Sequence, residues 1–554
     1  MPLETSARIV TELADRGYNA EREAVTLLAG AADPERAIER AVETAPDDVL
    51  VLSANHVEQT LDQLQSGSPQ SDSTSHPSEP SPTDTRNPNP SISTGKQPSK
   101  PPDDSGTAPV ETKGVSAAES PVELSTDSAS AVPTDSASGV PTDSGTTADR
   151  TPPPPTVSGD IQSTGTGDYG DFVSVFRDRY EKLAGQLRGR VNHRPTDAVS
   201  SMPGGSETAI IGMVSDIRST ANGHWLVELE DTNGTYPCLV MKDREFAADV
   251  RTLLTDEVIA VKGTLSDDNG DGDGILFVDE LHFPDVPRTY SPSTADRHVQ
   301  AALISDVHVG SEEFVADAWQ QFADWLHTDE AAAVEYLLIA GDMVEGVGVY
   351  PDQDEELDII DIYDQYETFS EHLKDVPGDM EIVMIPGNHD AVRLAEPQPA
   401  FDEELRDIMS AHDARISANP STVTVEGVDV LMYHGVSLDE VIAELPDEAA
   451  TYDDPAATMS QLLRKRHVAP KYGGNTRIAP EEEDHLVIEE VPDIFHAGHI
   501  HKLGYGTYHN VLTINSSCWQ SQTDFQKSVN LVPDVGYAPI VDLDTLDLTI
   551  RQFV

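Results

Sequence analysis

Five short polar runs in the C-terminal half carry side chains that bind metals and move protons. They are SDVHVGS (305–311), AGDMVEG (340–346), PGNHDA (386–391), YHG (433–435) and AGHIHK (497–502). Carboxylate, imidazole and amide oxygen in one set suit manganese, iron or zinc. They do not suit calcium, which takes oxygen ligands only. Seven residues have ligand character: Asp306, His308, Asp342, Asn388, His434, His499 and His501. That number exceeds the need of one tetrahedral site. It fits two ions sharing a bridging carboxylate, about 3.5–4 Å apart, the clamp used for in-line displacement at phosphorus. A lone histidine is ordinarily a core or surface residue, but five such runs in order are not explained that way.

Each polar run follows a short apolar one. AALI precedes Ser305, YLLI precedes Ala340, IVMI precedes Pro386, VDVLM precedes Tyr433 and DIF precedes His496. Short β-rich runs bounded by Gly, Pro, Asp and Asn predict buried strands ending in loops. The candidate ligands therefore sit just past strand ends, the edge where open α/β sheets bind ligands. Helical segments at 314–327 and 355–374 alternate with these strands, which predicts a layered α/β sandwich over 298–554. The last segments, YGTYHNVLTINSSCWQ and APIVDLDTLDLTI, return to strand character and are expected to close the second sheet.

The order D-x-H, G-D, G-N-H-D, H-G, G-H-x-H resembles the calcineurin-like metallophosphoesterases. The resemblance implies that Asp306, His308, Asp342 and His501 hold one ion. It implies that Asp342, Asn388, His434 and His499 hold the other, with Asp342 bridging. His389 would contact the phosphate and protonate the leaving oxygen. Asp390 beside it is expected to orient the imidazole and keep it basic enough to act as an acid.

The rest of the chain frames this region. Its 554 residues carry 99 Asp+Glu against 35 Lys+Arg, a formal net charge of −64. The acid is spread through patterned segments rather than confined to a tail, which points to a protein from salt-accumulating cells. Such a charge repels nucleic acid in dilute buffer. At about 1 M salt the Debye length is about 3 Å, so acidity does not exclude DNA as a partner. Two cysteines, Cys238 and Cys518, build neither a disulfide framework nor a Cys-based zinc site. The N-terminus lacks a signal-peptide pattern, and no apolar run approaches the roughly 20 residues of a membrane span, so a soluble cytoplasmic protein is expected.

Residues 1–65 carry helical periodicity in four segments and predict a small helical interaction domain. Residues 66–165 are rich in Ser, Thr, Pro, Asp and Gly, with TDSASAVP and TDSASGVP in tandem, and predict a disordered tether. A helix and connector follow over 166–204; Phe172, Val175, Tyr180, Leu183 and Leu187 fall near one face and ask for a protein surface. Over 205–290, five strand candidates with a helix at 244–254 between the third and fourth match the OB pattern. Stacking platforms for a single strand are scarce there: Trp225, Tyr236 and Phe277 are the main ones. DDNGDGDG (267–274) looks like the start of a calcium loop, but its twelfth position is Val278, so an acidic hairpin turn is expected instead.

Domain order narrows the superfamily. A phosphoesterase placed last, directly behind an OB domain, resembles the small-subunit family of the archaeal family D DNA polymerases and the related accessory subunits of eukaryotic replicative polymerases. The runs 346–359, 462–501 and 517–533 are similar at the level of whole phrases, and the resemblance covers about 205–554. It implies a 3′→5′ exonuclease with two divalent ions, manganese by preference, acting on primer-template 3′ ends. It also implies an obligate large catalytic subunit, which uses magnesium and without which the chain polymerises nothing. Two rivals are a catalytically silent scaffold of the same polymerase and a stand-alone phosphatase or nucleotidase. Intact ligands argue against the first; co-purification with a large subunit would argue against the second.

Overall fold

In this computed structural model the described residues are parts of 9–61, then 152–158, 161, and 169–554 apart from 267–273, 351–352 and 411–413. Most of the expected tether and the acidic turn at 267–273 lie outside them.

In the N-terminal part, helices Arg22–Ala29 and Pro34–Thr44 form where the 3.6-residue pattern predicts them. Ala24, Leu28, Ile38 and Ala41 are buried, as the apolar stripe of each helix requires. Not all of this part is helical: Asn19–Ala20 and Val51–Leu52 pair as a short parallel ladder.

The C-terminal region is a sandwich of two six-stranded sheets. In the first, the order is Arg415–Ile416, Glu381–Ile385, Val334–Ala340, Gln300–Ile304, Tyr537–Asp542, Asp547–Gln552. The first four are parallel and the last two join antiparallel. In the second, the order is Leu503–Tyr508, Val511–Ser516, Ile494–Ala497, Val428–Met432, Ser421–Val425, Thr156–Ser158. The near-continuous apolar runs reflect strands covered on both faces. Leu303, Leu338, Val383 and Ile385 meet Val423, Val430, Met432 and Ile514 between the sheets. Their alternating neighbours Ala302, Ile304, Leu337, Ile339 and Met384 face the helices Ala316–Leu326 and Ile362–Leu373, through Trp319, Phe322, Tyr366 and Phe369.

Two expectations need correction. The terminal segment Tyr537–Gln552 closes the first sheet, not the second: Ile540 pairs with Ala302, and Val541 with Ala301. Ile540 then packs toward the helices and Val541 into the inter-sheet core, so its two apolar faces match that edge. The segment expected to be a disordered tether to 165 contains ordered residues near its end. Thr156–Ser158 pairs antiparallel with Ser421–Val425 as the edge strand of the second sheet. Three residues in a Ser/Thr/Pro-rich context carry too little pattern to announce a strand.

Upstream, Glu207–Ser219, Trp225–Asp231, Gly234–Val240, Leu276–His282 and Val258–Leu265 close into a five-stranded barrel, in that spatial order. The segment between the third and fourth strands in sequence is a 3-10 helix, Glu245–Thr252, rather than an α-helix. The preceding helix, Tyr169–Leu187, packs on the barrel through Leu183, Ala184 and Leu187 against Ala209, Ile211 and Ala260. Among the described residues, no helix is long and apolar enough to cross a membrane.

Candidate metal centre

Five strands deliver the candidate ligands to one end of the sandwich. Gln300–Ile304 leads to Asp306 and His308, Val334–Ala340 to Asp342, and Glu381–Ile385 to Asn388 and His389. From the other sheet, Val428–Met432 leads to His434 and Ile494–Ala497 to His499 and His501. The loops brace one another: Asp306 and Val307 donate backbone N–H bonds to the carbonyls of Gly341 and Asp342, at 3.0 and 2.8 Å. Gly498 donates to the His434 carbonyl at 2.8 Å, which ties the two loops of the second sheet.

Close approach explains two glycines. A Cβ on Gly341, whose φ is +91°, would lie 2.5 Å from His434 Nδ1. One on Gly387 would lie 2.2 Å from Asp342 Oδ1. Both distances are shorter than any real Cβ contact, so the motif glycines keep space for the ligands.

Asp306, His308 and His501 form one cluster and Asp342, His434 and His499 a second. His308 Nε2 lies 3.8 Å from Asp306 Oδ1 and 3.9 Å from Asp342 Oδ2, so it stands between the two carboxylates. His501 Nε2 is 3.4 Å from Asp306 Oδ1 and 3.1 Å from His308 Nε2. His434 Nε2 is 3.1 Å from Asp342 Oδ2 and 3.1 Å from Asn388 Oδ1.

The donor chemistry fits cations. His434 Nδ1 lies 2.8 Å from the Ala340 carbonyl, which can only accept, so Nδ1 carries the proton. In the neutral ring, Nε2 then offers a lone pair toward two oxygens that also offer lone pairs. Three acceptors converging in a buried place call for a positive charge between them. The electrostatics of the side chains alone say the same. Burial opposes charging of His434, yet Asp342 and Asp306 pull its pKa up to about 10. Burial likewise works against ionisation of Asp306, but the flanking His308 and His501 hold its carboxyl well below the usual range.

A supporting layer that the motifs do not name fixes the rings. Glu345 Oε2 lies 2.8 Å from His308 Nδ1. Asp439 Oδ2 lies 3.2 Å from His499 Nε2, and Gln526 Nε2 lies 2.8 Å from His501 Nδ1. Glu345 is 2 % exposed; burial alone would raise its pKa, but His308 and His389 bring it down to about 2, so it stays a carboxylate. The sequence carries one faint signal for it, a second acid three residues after Asp342 in the AGDMVEG run.

His389 and Asp390 part company. The His389 backbone N–H donates to Asp342 Oδ1 at 2.8 Å, which seats the residue on the cluster. Its Nδ1 lies 2.8 Å from the Glu345 carbonyl, so Nδ1 is the donor and Nε2 is the end available to a substrate. The Asp390 carboxylate instead accepts from Gly387 N–H at 2.8 Å and Tyr366 O–H at 3.0 Å. The expectation that Asp390 orients the imidazole is therefore replaced: the Glu345 carbonyl does so, and Asp390 ties the loop to the helix behind it. Burial and the nearby Asp342 raise Asp390 to about 7.

A cavity of ≈ 320 Å³ opens over both clusters, walled by His389, Tyr350, Tyr452, Phe525 and Leu531 among others. The barrel offers less to a ligand than its sequence suggested: Tyr236 is buried in the barrel core, leaving Phe277 exposed and Trp225 partly covered.

Comparison with known proteins gives consistent matches. The family of the DNA polymerase alpha/epsilon B subunits matches residues 301–503. The DNA polymerase II small subunit of Halobacterium salinarum is 62 % identical over the full length of both chains. The DNA polymerase II small subunit of Archaeoglobus fulgidus is 43 % identical, over 68 % of this chain and 75 % of that one. Among solved structures, one described as a novel archaeal phosphodiesterase overlaps 46 % of this chain at 12 % identity and a TM-score of 0.24, too low to argue from.

Proposed function

We propose a nuclease role from one premise: the chain belongs to the family of archaeal DNA polymerase II small subunits. In this reading it assembles with a large catalytic subunit and supplies a metal-dependent 3′→5′ exonuclease that trims mispaired primer ends. The observation that carries the reading is the convergence of seven ligand-type residues from both sheets, with Asp342 Oδ2 lying 3.9 Å from His308 Nε2 and 3.1 Å from His434 Nε2.

Two bound divalent ions would supply charge neutralisation at the phosphate and an activated water. Asp306, His308, Asp342 and His501 would hold one, and Asp342, Asn388, His434 and His499 the other. The chain's own proton chemistry falls to His389. Its Nδ1–H is held by the Glu345 carbonyl, so a protonated ring presents Nε2–H outward, toward a leaving 3′-oxygen. Such general-acid help is typically worth 10²–10⁴-fold. The buried Glu345, Asp439 and Gln526 keep the rings from turning. A silent scaffold would have no use for this buried convergence of ligand-type residues.

The test is shortening of a 3′-labelled mispaired primer with Mn²⁺ in molar KCl, by the chain alone and with its large subunit. Wild type should digest the primer; Asp342→Ala should lose both metal and cleavage. His389→Ala should keep both metals, measured by mass spectrometry, and slow at least 10²-fold. Wild-type rates in His389→Ala would remove the general acid from the account.

A further inference from the structure

The cavity over the metal clusters has one wall that neither metal binding nor proton transfer uses. Phe525 lies on the short helix Asp524–Ser528 and is 57 % exposed, a large fraction for a phenylalanine beside a polar site. One face of its ring is backed by Tyr350, with centroids 6.0 Å apart and planes 26° from parallel. Tyr350 is itself held: its single O–H lies between the carboxylates of Glu345, at 3.1 Å, and Glu356, at 3.2 Å, and its ring meets that of His389 at 6.3 Å. The helix under Phe525 is equally fixed. Thr523 and Gln526 form a reciprocal capping box, and the same Gln526 contacts His501. A rigid, exposed, neutral ring is thus fastened to the ligand shell on two sides.

Resting on the nuclease role proposed for this site, we infer that Phe525, backed by Tyr350, is the platform on which the base of the 3′-terminal nucleotide stacks. The platform and the reacting centre share one cavity, so a phosphate at the clusters leaves its attached nucleoside within reach of the ring. Stacking accepts every base because every base has a π-face. It also suits this chain's charge. With a net charge of −64 and a salt-rich setting, lysine contacts to phosphate are screened, whereas stacking is not. The site then holds an end whose last base is free to leave its partner, which a mispaired base does and a paired base resists.

The experiment compares wild type, Phe525→Ala and Phe525→Trp on single strands ending in a normal or an abasic 3′ nucleotide, with Mn²⁺ in molar KCl. Phe525→Ala should raise KM about tenfold or more for the normal end and leave the abasic end unchanged, and Phe525→Trp should restore the difference. A second readout uses a 3′-terminal 2-aminopurine strand on the slowed His389→Ala background. Fluorescence should be quenched on binding and released by Phe525→Ala. Equal effects of Phe525→Ala on both ends, or a quench it does not release, overturn the inference while leaving the nuclease reading intact. Loss of the large subunit from the Phe525→Ala protein, with cleavage of both ends unchanged, would assign the ring to a protein partner and also overturn it. No cleavage of either strand by wild type would instead strike the nuclease reading itself.

Discussion

Asp306, His308, Asp342, His499 and His501 all hold φ between +51° and +71°. Side chains other than glycine rarely take this left-handed region, and each residue held in it costs on the order of 1–3 kcal/mol. The sheets over-determine these turns through the loop-to-loop hydrogen bonds, and the strain aims the side chains at one point. The motif residues were legible because acid and imidazole at strand ends have few structural uses. Glu345, Asp439 and Gln526 were not, because their roles arise from distances set by the fold, and Asp390 was misread because adjacency in sequence does not bring its carboxylate to the neighbouring ring. The supporting layer gives a residue-scale prediction. Glu345→Gln keeps the shape but removes the charge beside His308, and should weaken Mn²⁺ binding about 10–100-fold with the fold retained. Titration calorimetry on the metal-free protein measures it; unchanged affinity would make Glu345 a mere packing residue.

At the scale of elements, much of the basic run LLRKRHVAPKYGG is paired inside the fold. Lys465 pairs with Glu257 at 2.7 Å, both buried; Arg464 lies over the Phe283 ring at 3.8 Å; His467 meets Asp484 at 3.0 Å. Asp484 also receives Arg179 at 2.7 Å from the Tyr169–Leu187 helix. The helix was readable from its apolar face, but the buried Arg179 was not, since its partner lies about three hundred residues away. The sandwich strands were readable from short continuous apolar runs bounded by turn residues, whereas which sheet the last strands, Tyr537–Gln552, join was not. The edge strand Thr156–Ser158 yields an element-scale prediction. Deleting 70–148 should leave the melting temperature unchanged, whereas extending the deletion to 161 should lower it, because the Ser421–Val425 strand loses its ladder partner and Ile161 its burial. Equal melting of the two deletions would mean that this strand contributes nothing.

For the whole molecule, charge sets the working conditions. Ninety-nine acidic residues against 35 basic ones repel one another unless salt screens them. The protein should keep its circular dichroism spectrum in molar KCl and lose structure on dialysis to about 10 mM salt, where the Debye length reaches about 30 Å. An unchanged spectrum would show that local ion pairs already offset the repulsion.

In the proposed reading, residues from two sheets build one two-metal centre around Asp342. Anomalous diffraction at the manganese edge, from crystals grown with Mn²⁺, tests it most directly. The account predicts two peaks about 3.5–4 Å apart, one beside Asp306, His308 and His501, the other beside Asn388, His434 and His499, with the Asp342 carboxylate between them. A single peak, or two peaks that do not share Asp342, would contradict it.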